Sequence, residues 1–120
     1  MALQQLEIRK LDKAVVTFFK SNGSTIALGR FEPGWKWSEN AKPVAKTELC
    51  EISHSGYCVA GNVTVRTSDG NEIHLKKGDV YHIPAGHDAW VTGVEPCEMI
   101  DFIGAKSLEQ DWQEKPSNRK

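Results

Sequence analysis

The chain has 120 residues, which is the usual size of a single domain, and a net charge of −1 from 15 basic and 16 acidic residues. Its charges are interspersed, so it has neither the basic stripe of a nucleic-acid-binding protein nor an acidic disordered block. It has no run of about 20 apolar residues, the length that spans a bilayer. Its first residues also lack the pattern of a secretory signal. We therefore expect a cytoplasmic protein with no membrane partner.

Short apolar runs separated by turn residues predict strands along the first third of the chain. Residues 14–19 and 25–31 flank a turn cluster at 21–24 and are expected to form a hairpin. Residues 1–13 fit neither the helical nor the strand period, so a helix and an extra strand both remain open. Residues 39–46 contain a proline and are expected to form a loop.

The same pattern continues through the rest of the chain. Strand-like segments follow at 47–61, 62–67, 72–75, 80–83, 89–92 and 97–103. Eight or so short strands at near-regular spacing predict a closed or two-sheet all-β architecture. The polar end of the chain is expected to carry a short helix over 108–112 and a frayed tail.

The number of cysteines in the chain argues against disulfide bonds as its structural framework. Cys50, Cys58 and Cys97 are too few and odd in number for a disulfide framework. In a reducing compartment each thiol is a core filler, a metal ligand or a nucleophile.

Residues 78–93 resemble the second cupin motif, Gly-x5-Pro-x-Gly-x2-His-x3-Asn. Its two glycines and its proline are present at the right spacing, as Gly78, Pro84 and Gly86. The histidine position is held by Ala89 and the asparagine position by Gly93. A histidine occurs two residues early, at His87.

The first cupin motif, Gly-x5-His-x-His-x3-4-Glu-x6-Gly, can be aligned backwards from Gly61. Its glutamate then falls on His54, and its two histidines fall on Glu48 and Cys50. The leading glycine corresponds to Gly34, with about eight extra residues between. The ligand types are thus changed to carboxylate, thiol and imidazole while the spacing is kept.

The chain therefore resembles a small single-domain cupin of the RmlC-like superfamily with altered metal-ligand motifs. The resemblance implies an all-β fold, a double-stranded β-helix or jelly-roll barrel with short flanking segments. We expect an N-terminal segment with the first strands (1–25), the cupin barrel (26–104) and a polar C-terminal tail (105–120). Small cupins often pair and a free sheet edge favours pairing, so a homodimer is expected.

Glu48, Cys50 and His54 share parity on one predicted extended segment and can face the barrel interior together. Such groups are costly to bury unpaired, and a divalent cation would remove that cost. The alternative is that Glu48 and His54 line a wet mouth and Cys50 fills the core. His87 is the candidate fourth ligand, with a surface histidine as its alternative.

A mixed N/O/S donor set favours zinc, with iron, nickel or cobalt as alternatives, and a thiolate disfavours magnesium and calcium. Three protein ligands and a water would make a catalytic site. Four protein ligands would close the site and make it structural or sensory.

Three tryptophans, Trp35, Trp37 and Trp90, are expected to ring the barrel mouth, and Tyr57 to join them in binding a small molecule. The alternative is that they belong to the core or to a dimer interface. Three functions remain open: a metal-dependent enzyme acting on a small organic molecule, a non-catalytic module that senses or binds a small molecule or metal, and a metal-free barrel. The resemblance does not choose a reaction.

Overall fold

The computed structural model describes residues 4–21 and 23–103, and these form a chain of short strands. The strands are β1 Gln4–Leu11, β2 Ala14–Ser21, β3 Ser24–Phe31, β4 His54–Ala60, β5 Asn62–Thr67, β6 Glu72–Lys76, β7 Val80–Ile83, β8 His87–Thr92 and β9 Cys97–Ile103. A π-helical turn, Trp37–Ala41, leads directly into a one-turn helix, α1 Lys42–Ala45. The predicted helix over 108–112 and the polar tail lie outside the described residues.

The strands form two antiparallel sheets. One has six strands in the order β1-β2-β3-β9-β4-β7, and the other has three in the order β6-β5-β8. Side chains from both sheets form one apolar core, with Val16 and Phe18 from the larger sheet and Val65 from the smaller one fully buried. The predicted all-β, two-sheet class is confirmed.

The described chain begins with β1, so a strand and not a helix forms over Gln4–Leu11 within the segment left open at 1–13. β1 pairs with β2 through a register shift between Gln5 and Glu7. The predicted hairpin is also present, because β2 pairs with β3 from Ser21 opposite Ser24 to Ala14 opposite Phe31.

The segment between β3 and β4 differs from the prediction. The loop expected at 39–46 is largely helical, and Pro43 lies in the first turn of α1, where a missing N–H costs nothing. Lys46 ends this helix in a left-handed conformation, with φ 64°. The strand expected from residue 47 begins only at His54, so residues 47–53 follow an irregular path.

Two glycines allow neighbouring segments to pack closely. A Cβ on Gly61, where φ is 78°, would lie 2.2 Å from the carbonyl oxygen of Pro96. A Cβ on Gly56 would lie 1.9 Å from the carbonyl oxygen of Ile100 and 2.7 Å from the Tyr81 hydroxyl. Gly56 therefore leaves the space through which Tyr81 reaches β9.

Cys58 and Cys97 are free thiols buried in the core, in agreement with the core-filler interpretation. Burial is the main reason why the pKa of Cys97 is raised to about 12 and that of Cys58 also lies above its ordinary value. Across the described part of the chain, no helix has the length and apolar character needed to cross a membrane.

Candidate metal centre

The irregular segment before β4 is held against the start of β8. The Cys50 N–H donates to the carbonyl oxygen of His87 at 2.8 Å, and the Gly86 N–H donates back to the carbonyl of Cys50 at 2.7 Å. The turn at Gly86, with φ 85°, allows this pairing. Because His54 opens β4 only four residues after Cys50, all three side chains enter the same space between the sheets.

Cys50, His54 and His87 form a buried cluster. One donor atom from each lies within 4.8 Å of the other two. Their exposed fractions are only 3%, 8% and 4%. The Cys50 Sγ atom lies 3.6 Å from Nε2 of His54, and the two imidazole rings meet edge to face with centroids 5.3 Å apart.

Each histidine is oriented by an acceptor on its Nδ1 side. His54 Nδ1 lies 2.6 Å from the Asp101 Oδ2, and His87 Nδ1 lies 2.7 Å from the Pro84 carbonyl oxygen. Carboxylate and carbonyl oxygens accept hydrogen bonds, so both Nδ1 atoms carry the proton. Nε2 is therefore the atom that each histidine has left to offer a metal, and this is how metal-binding histidines are usually fixed by their outer partners.

Asp101 and Tyr81 support His54 from the strands on either side of β4. Asp101 lies opposite Gly56 in the β4–β9 register, and its Oδ1 accepts a hydrogen bond from the Tyr81 hydroxyl. Burial is the largest cause, and Asp101 the next, of the raised pKa of Tyr81, so the phenol remains a donor. Neither residue was predicted from the sequence, although Asp101 shares parity with the inward-facing Met99 on a predicted strand.

Contacts of Cys50 and His54 with their neighbours shift the pKa values of both side chains. Burial alone raises the pKa of the Cys50 thiol, but contacts with His54 and His87 outweigh burial and bring it to about 7, below its ordinary 9.0. Burial alone lowers the pKa of His54, but Asp101 and then Cys50 outweigh burial and raise it from 6.5 to about 10. Without a metal, His54 is therefore an imidazolium held between a carboxylate and a thiol that ionises readily.

Glu48 lies apart from the cluster. Its side chain is 90% exposed, and its carboxylate forms an ion pair of 2.9 Å with Lys42 Nζ. Strand parity would have turned Glu48 the same way as Cys50, but residues 47–53 are not a strand, so the alternation does not apply. The structure thus brings together three of the four predicted ligands, and not Glu48.

A cavity of about 80 Å³ adjoins the cluster, between the two sheets. Cys50, His54, His87 and Asp101 line it on the polar side. The rest of its wall is mostly apolar and includes Phe31, Trp35, Trp37, Ile83 and Met99. Such a mostly apolar cavity with a few converging polar groups is typical of small-molecule sites.

Of the four residues expected to bind a small molecule, Trp35 and Trp37 line this cavity, whereas Trp90 and Tyr57 do not. In β8 the alternation turns His87 and Ala89 inward and Trp90 outward, where its ring lies between Lys36 Nζ at 5.2 Å and Arg66 Cζ at 5.0 Å. Tyr57 is likewise turned outward on β4 and is 39% exposed.

The indole N–H groups of Trp35 and Trp37 are buried and have no hydrogen-bond partner among the described residues. Leaving a buried donor unpaired costs about 1–3 kcal/mol. Trp35 and Trp37 therefore each have a buried donor that no described residue satisfies.

Comparison with known proteins agrees with the glycine spacing and the two-sheet architecture. Residues 51–103 match the family model described as a cupin domain. The chain contains a cupin domain. None of the curated proteins compared matches its sequence.

Solved structures resemble this cupin domain at low identity. AerE from Microcystis aeruginosa is 16% identical with a TM-score of 0.61, over 97% of this chain and 50% of AerE. KdgF from a Halomonas species is 16% identical with a TM-score of 0.57, over 82% of this chain and 88% of KdgF. A DUF1255 protein of unknown function from Acinetobacter sp. ADP1 is 10% identical with a TM-score of 0.59, over 84% of this chain and 93% of its own. These similarities show the fold alone.

Proposed function

We propose that this cupin domain binds a divalent transition metal through Cys50 Sγ and the Nε2 atoms of His54 and His87, and a small organic molecule in the adjoining cavity. The observation that carries the proposal is the orientation of the two histidines. Both have a hydrogen-bond acceptor at Nδ1, which leaves Nε2 to bind a metal, and one donor atom of each histidine lies within 4.8 Å of the thiol and of the other histidine.

The donor set favours zinc, because one thiolate and two imidazoles suit its borderline-soft character, with iron, nickel or cobalt as alternatives. Asp101 would hold the His54 ring, and the Pro84 carbonyl would hold that of His87. A bound metal supplies Lewis acidity toward an oxygen atom of a ligand or a water. The apolar wall of the cavity would restrict the access of bulk water to it.

Three protein ligands leave a tetrahedral ion one free position, and here that position would be next to the cavity. The exposed position of Glu48 favours this open arrangement over a closed shell of four protein ligands. An open position serves a metal-dependent enzyme, and it equally serves a module that binds a molecule without converting it. The two are distinguished by whether the bound molecule is recovered unchanged.

The metal content of protein purified without chelators tests the site. We expect close to one equivalent of a transition metal, and less than about a tenth of an equivalent would contradict the proposal. Cys50→Ser and His54→Ala should each lower the content strongly. Cys58→Ala is the matched control, because Cys58 is an equally buried thiol outside the cluster.

We further propose a cytoplasmic homodimer. Three free cysteines suit a reducing compartment. On the outer face of the larger sheet, Tyr57 lies opposite Val80, which is 81% exposed, and Phe102 is also exposed. Such an apolar patch suits an interface between two copies. Light scattering should give twice the chain mass, and Val80→Lys should reduce it to the monomer mass.

A further inference from the structure

One row of side chains crosses all six strands on the outer face of the larger sheet. Direct partners in neighbouring strands have their side chains on the same face, and the registers join one residue of each strand into this row. From β1 to β7, the outer row consists of Ile8, Thr17, Leu28, Ile100, Tyr57 and Val80. Ile8, Tyr57 and Val80 are 50%, 39% and 81% exposed. An uncharged and mostly apolar stripe therefore reaches from one edge of the sheet to the other.

Charged side chains lie beside the outer row and not within it. In the adjacent row, Lys10 and Arg30 both pair with Val15, and Arg30 pairs with Glu98. The side chains of Arg30 and Glu98 form an ion pair of 2.7 Å with each other. The row on the other side includes Phe19 opposite Ile26.

This distribution of charge suits a second copy of the same chain. A two-fold interface uses the same patch on both copies, and an uncharged stripe can meet its own copy without placing like charges together. Two sheet faces pack about 10 Å apart, with side chains that interdigitate. A strongly charged partner would find no charge in the outer row to pair with. A second copy is therefore the partner that this surface fits.

An imidazole adjoins the outer row where the row reaches the edge strand β7. His82 lies two positions after Val80, so it faces the same side, and it is exposed. Its Nδ1 atom lies 2.8 Å from the Oγ atom of Ser55, its direct partner on β4.

No carboxylate of the two strands faces His82. The outward residues of β4 beside it are Ser55 and Tyr57, whose side chains end in hydroxyl groups. Asp79 comes before β7, and its Oδ2 atom is engaged by the Lys76 N–H. A proton taken up by His82 is therefore not compensated by the strands that carry this part of the face.

We propose that two copies of this chain pack through the outer row and that protonation of His82 separates them. The inference rests on the homodimer of the proposed function, to which it adds the extent of the interface and its control by pH. A neutral imidazole bonded to Ser55 can be covered by a second sheet, whereas an imidazolium is costly to desolvate without an anionic partner. Histidine side chains take up their proton between about pH 5 and 8. The dimer is therefore tighter at the upper end of this range and weaker at the lower end.

Lysine substitutions at the two ends of the row test the extent of the interface. Ile8→Lys and Val80→Lys, on β1 and β7, should each raise the dissociation constant of the dimer roughly tenfold or more at about pH 8, because each buries a charge. Analytical ultracentrifugation measures the constant. Val94→Lys is the matched control, because Val94 is 90% exposed but lies outside the row, and it should leave the dimer unchanged. A loss confined to Val80→Lys would limit the interface to the edge at β7 and overturn this part of the inference.

The same measurement at about pH 8 and about pH 5.5 tests the control by His82. The dissociation constant of the wild type should rise roughly tenfold or more at the lower pH. His82→Gln should remain dimeric at both values, and His82→Lys should be monomeric at both. His74→Gln is the matched control, because His74 is an exposed histidine of the smaller sheet and should leave the pH dependence in place. Circular dichroism checks that every variant is folded at both values.

The outcomes separate this inference from the proposals on which it builds. A wild-type dimer of equal affinity at both pH values overturns the role of His82 and leaves the homodimer intact. Dissociation of His82→Gln at about pH 5.5 also overturns that role. A wild-type monomer at both values overturns the homodimer, and the inference with it. Metal content, measured in parallel, should be the same in wild type and in His82→Gln at about pH 8, so that a failed metal site is recognised independently.

Discussion

The Nδ1 atom of His54 lies 2.6 Å from the Oδ2 atom of Asp101, across the paired strands β4 and β9. The same carboxylate accepts a hydrogen bond from the Tyr81 hydroxyl on β7. One carboxylate therefore connects a donor of the candidate metal centre to three neighbouring strands of the larger sheet. Because of this connection, metal affinity should depend on a residue that is not itself a predicted ligand.

Replacing Asp101 with alanine should lower the affinity for zinc by about 10–100-fold, since losing the outer partner of a metal-binding histidine frees its ring and reduces its basicity. Asp101→Asn should have a smaller effect, because the amide oxygen can still accept from Nδ1. Competition with a chromophoric chelator measures the affinity. Equal affinity in wild type and the alanine variant would contradict this role of Asp101 in holding the His54 ring.

The ionisation of His54 gives the metal-free protein a pH-dependent stability. Its pKa is raised from 6.5 to about 10 in the folded state, so its stabilising contribution is complete below about 6.5 and is lost as the pH rises through about 10. Cys50 acts in the opposite sense. Its pKa is lowered from 9.0 to about 7, so its contribution is present above 9 and is lost as the pH falls through 7.

Cys50→Ser isolates the histidine contribution, and in a chelator the free energy of unfolding of this variant should fall from pH 6.5 upward. The loss should be on the order of 1–3 kcal/mol, because the ion pair with Asp101 remains after the thiol is removed. Urea denaturation at several pH values measures it. The trend should largely disappear in the double variant with Asp101→Asn, and a rise in stability with pH would contradict the assignment.

The sequence predicted the fold well because its signals are local. Alternating apolar residues define strands wherever one face is buried, and glycine turns such as Gly61 and Gly78 separate them. The N-terminal strand was ambiguous because its pattern is mixed. The helical turn around Pro43 was missed because proline is permitted in a first helical turn as well as in a loop.

The site was predicted less completely, because it depends on contacts between distant segments. Cys50 and His54 do lie together, but not through strand parity, because Cys50 and Glu48 both belong to the irregular segment before β4. The backbone pairing of Cys50 with His87 is what holds its thiol at the cluster. The pairing of Cys50 with His87 and that of His54 with Asp101 span 37 and 47 residues, and no local pattern specifies them. From the sequence alone, Asp101 could be recognised only as a carboxylate at an inward-facing position of a predicted strand.

Two glycines in positive-φ turns provide a matched test of packing. Gly70 has φ 90°, and a Cβ placed on it would have nothing within 4 Å, whereas a Cβ on Gly61 would lie 2.2 Å from the Pro96 carbonyl oxygen. Gly70→Ala should cost about 1 kcal/mol from backbone strain alone. Gly61→Ala should cost at least about 2 kcal/mol more, because the turn must move away from β9. Equal midpoints in urea would contradict the close approach.

Zinc should stabilise the folded protein through the three clustered donors and not through Glu48. At a free concentration one hundred times the dissociation constant, binding to the native state alone adds about 2.7 kcal/mol, which raises the melting temperature, and a chelator should reverse the rise. Glu48→Gln should retain the full increase, because that carboxylate is bonded to Lys42 at the surface. Cys50→Ser should lose most of it, since a hydroxyl is a much poorer zinc ligand than a thiolate. If Glu48→Gln abolished the increase instead, residues 47–53 would have to rearrange around the metal, and the three-ligand site would be wrong.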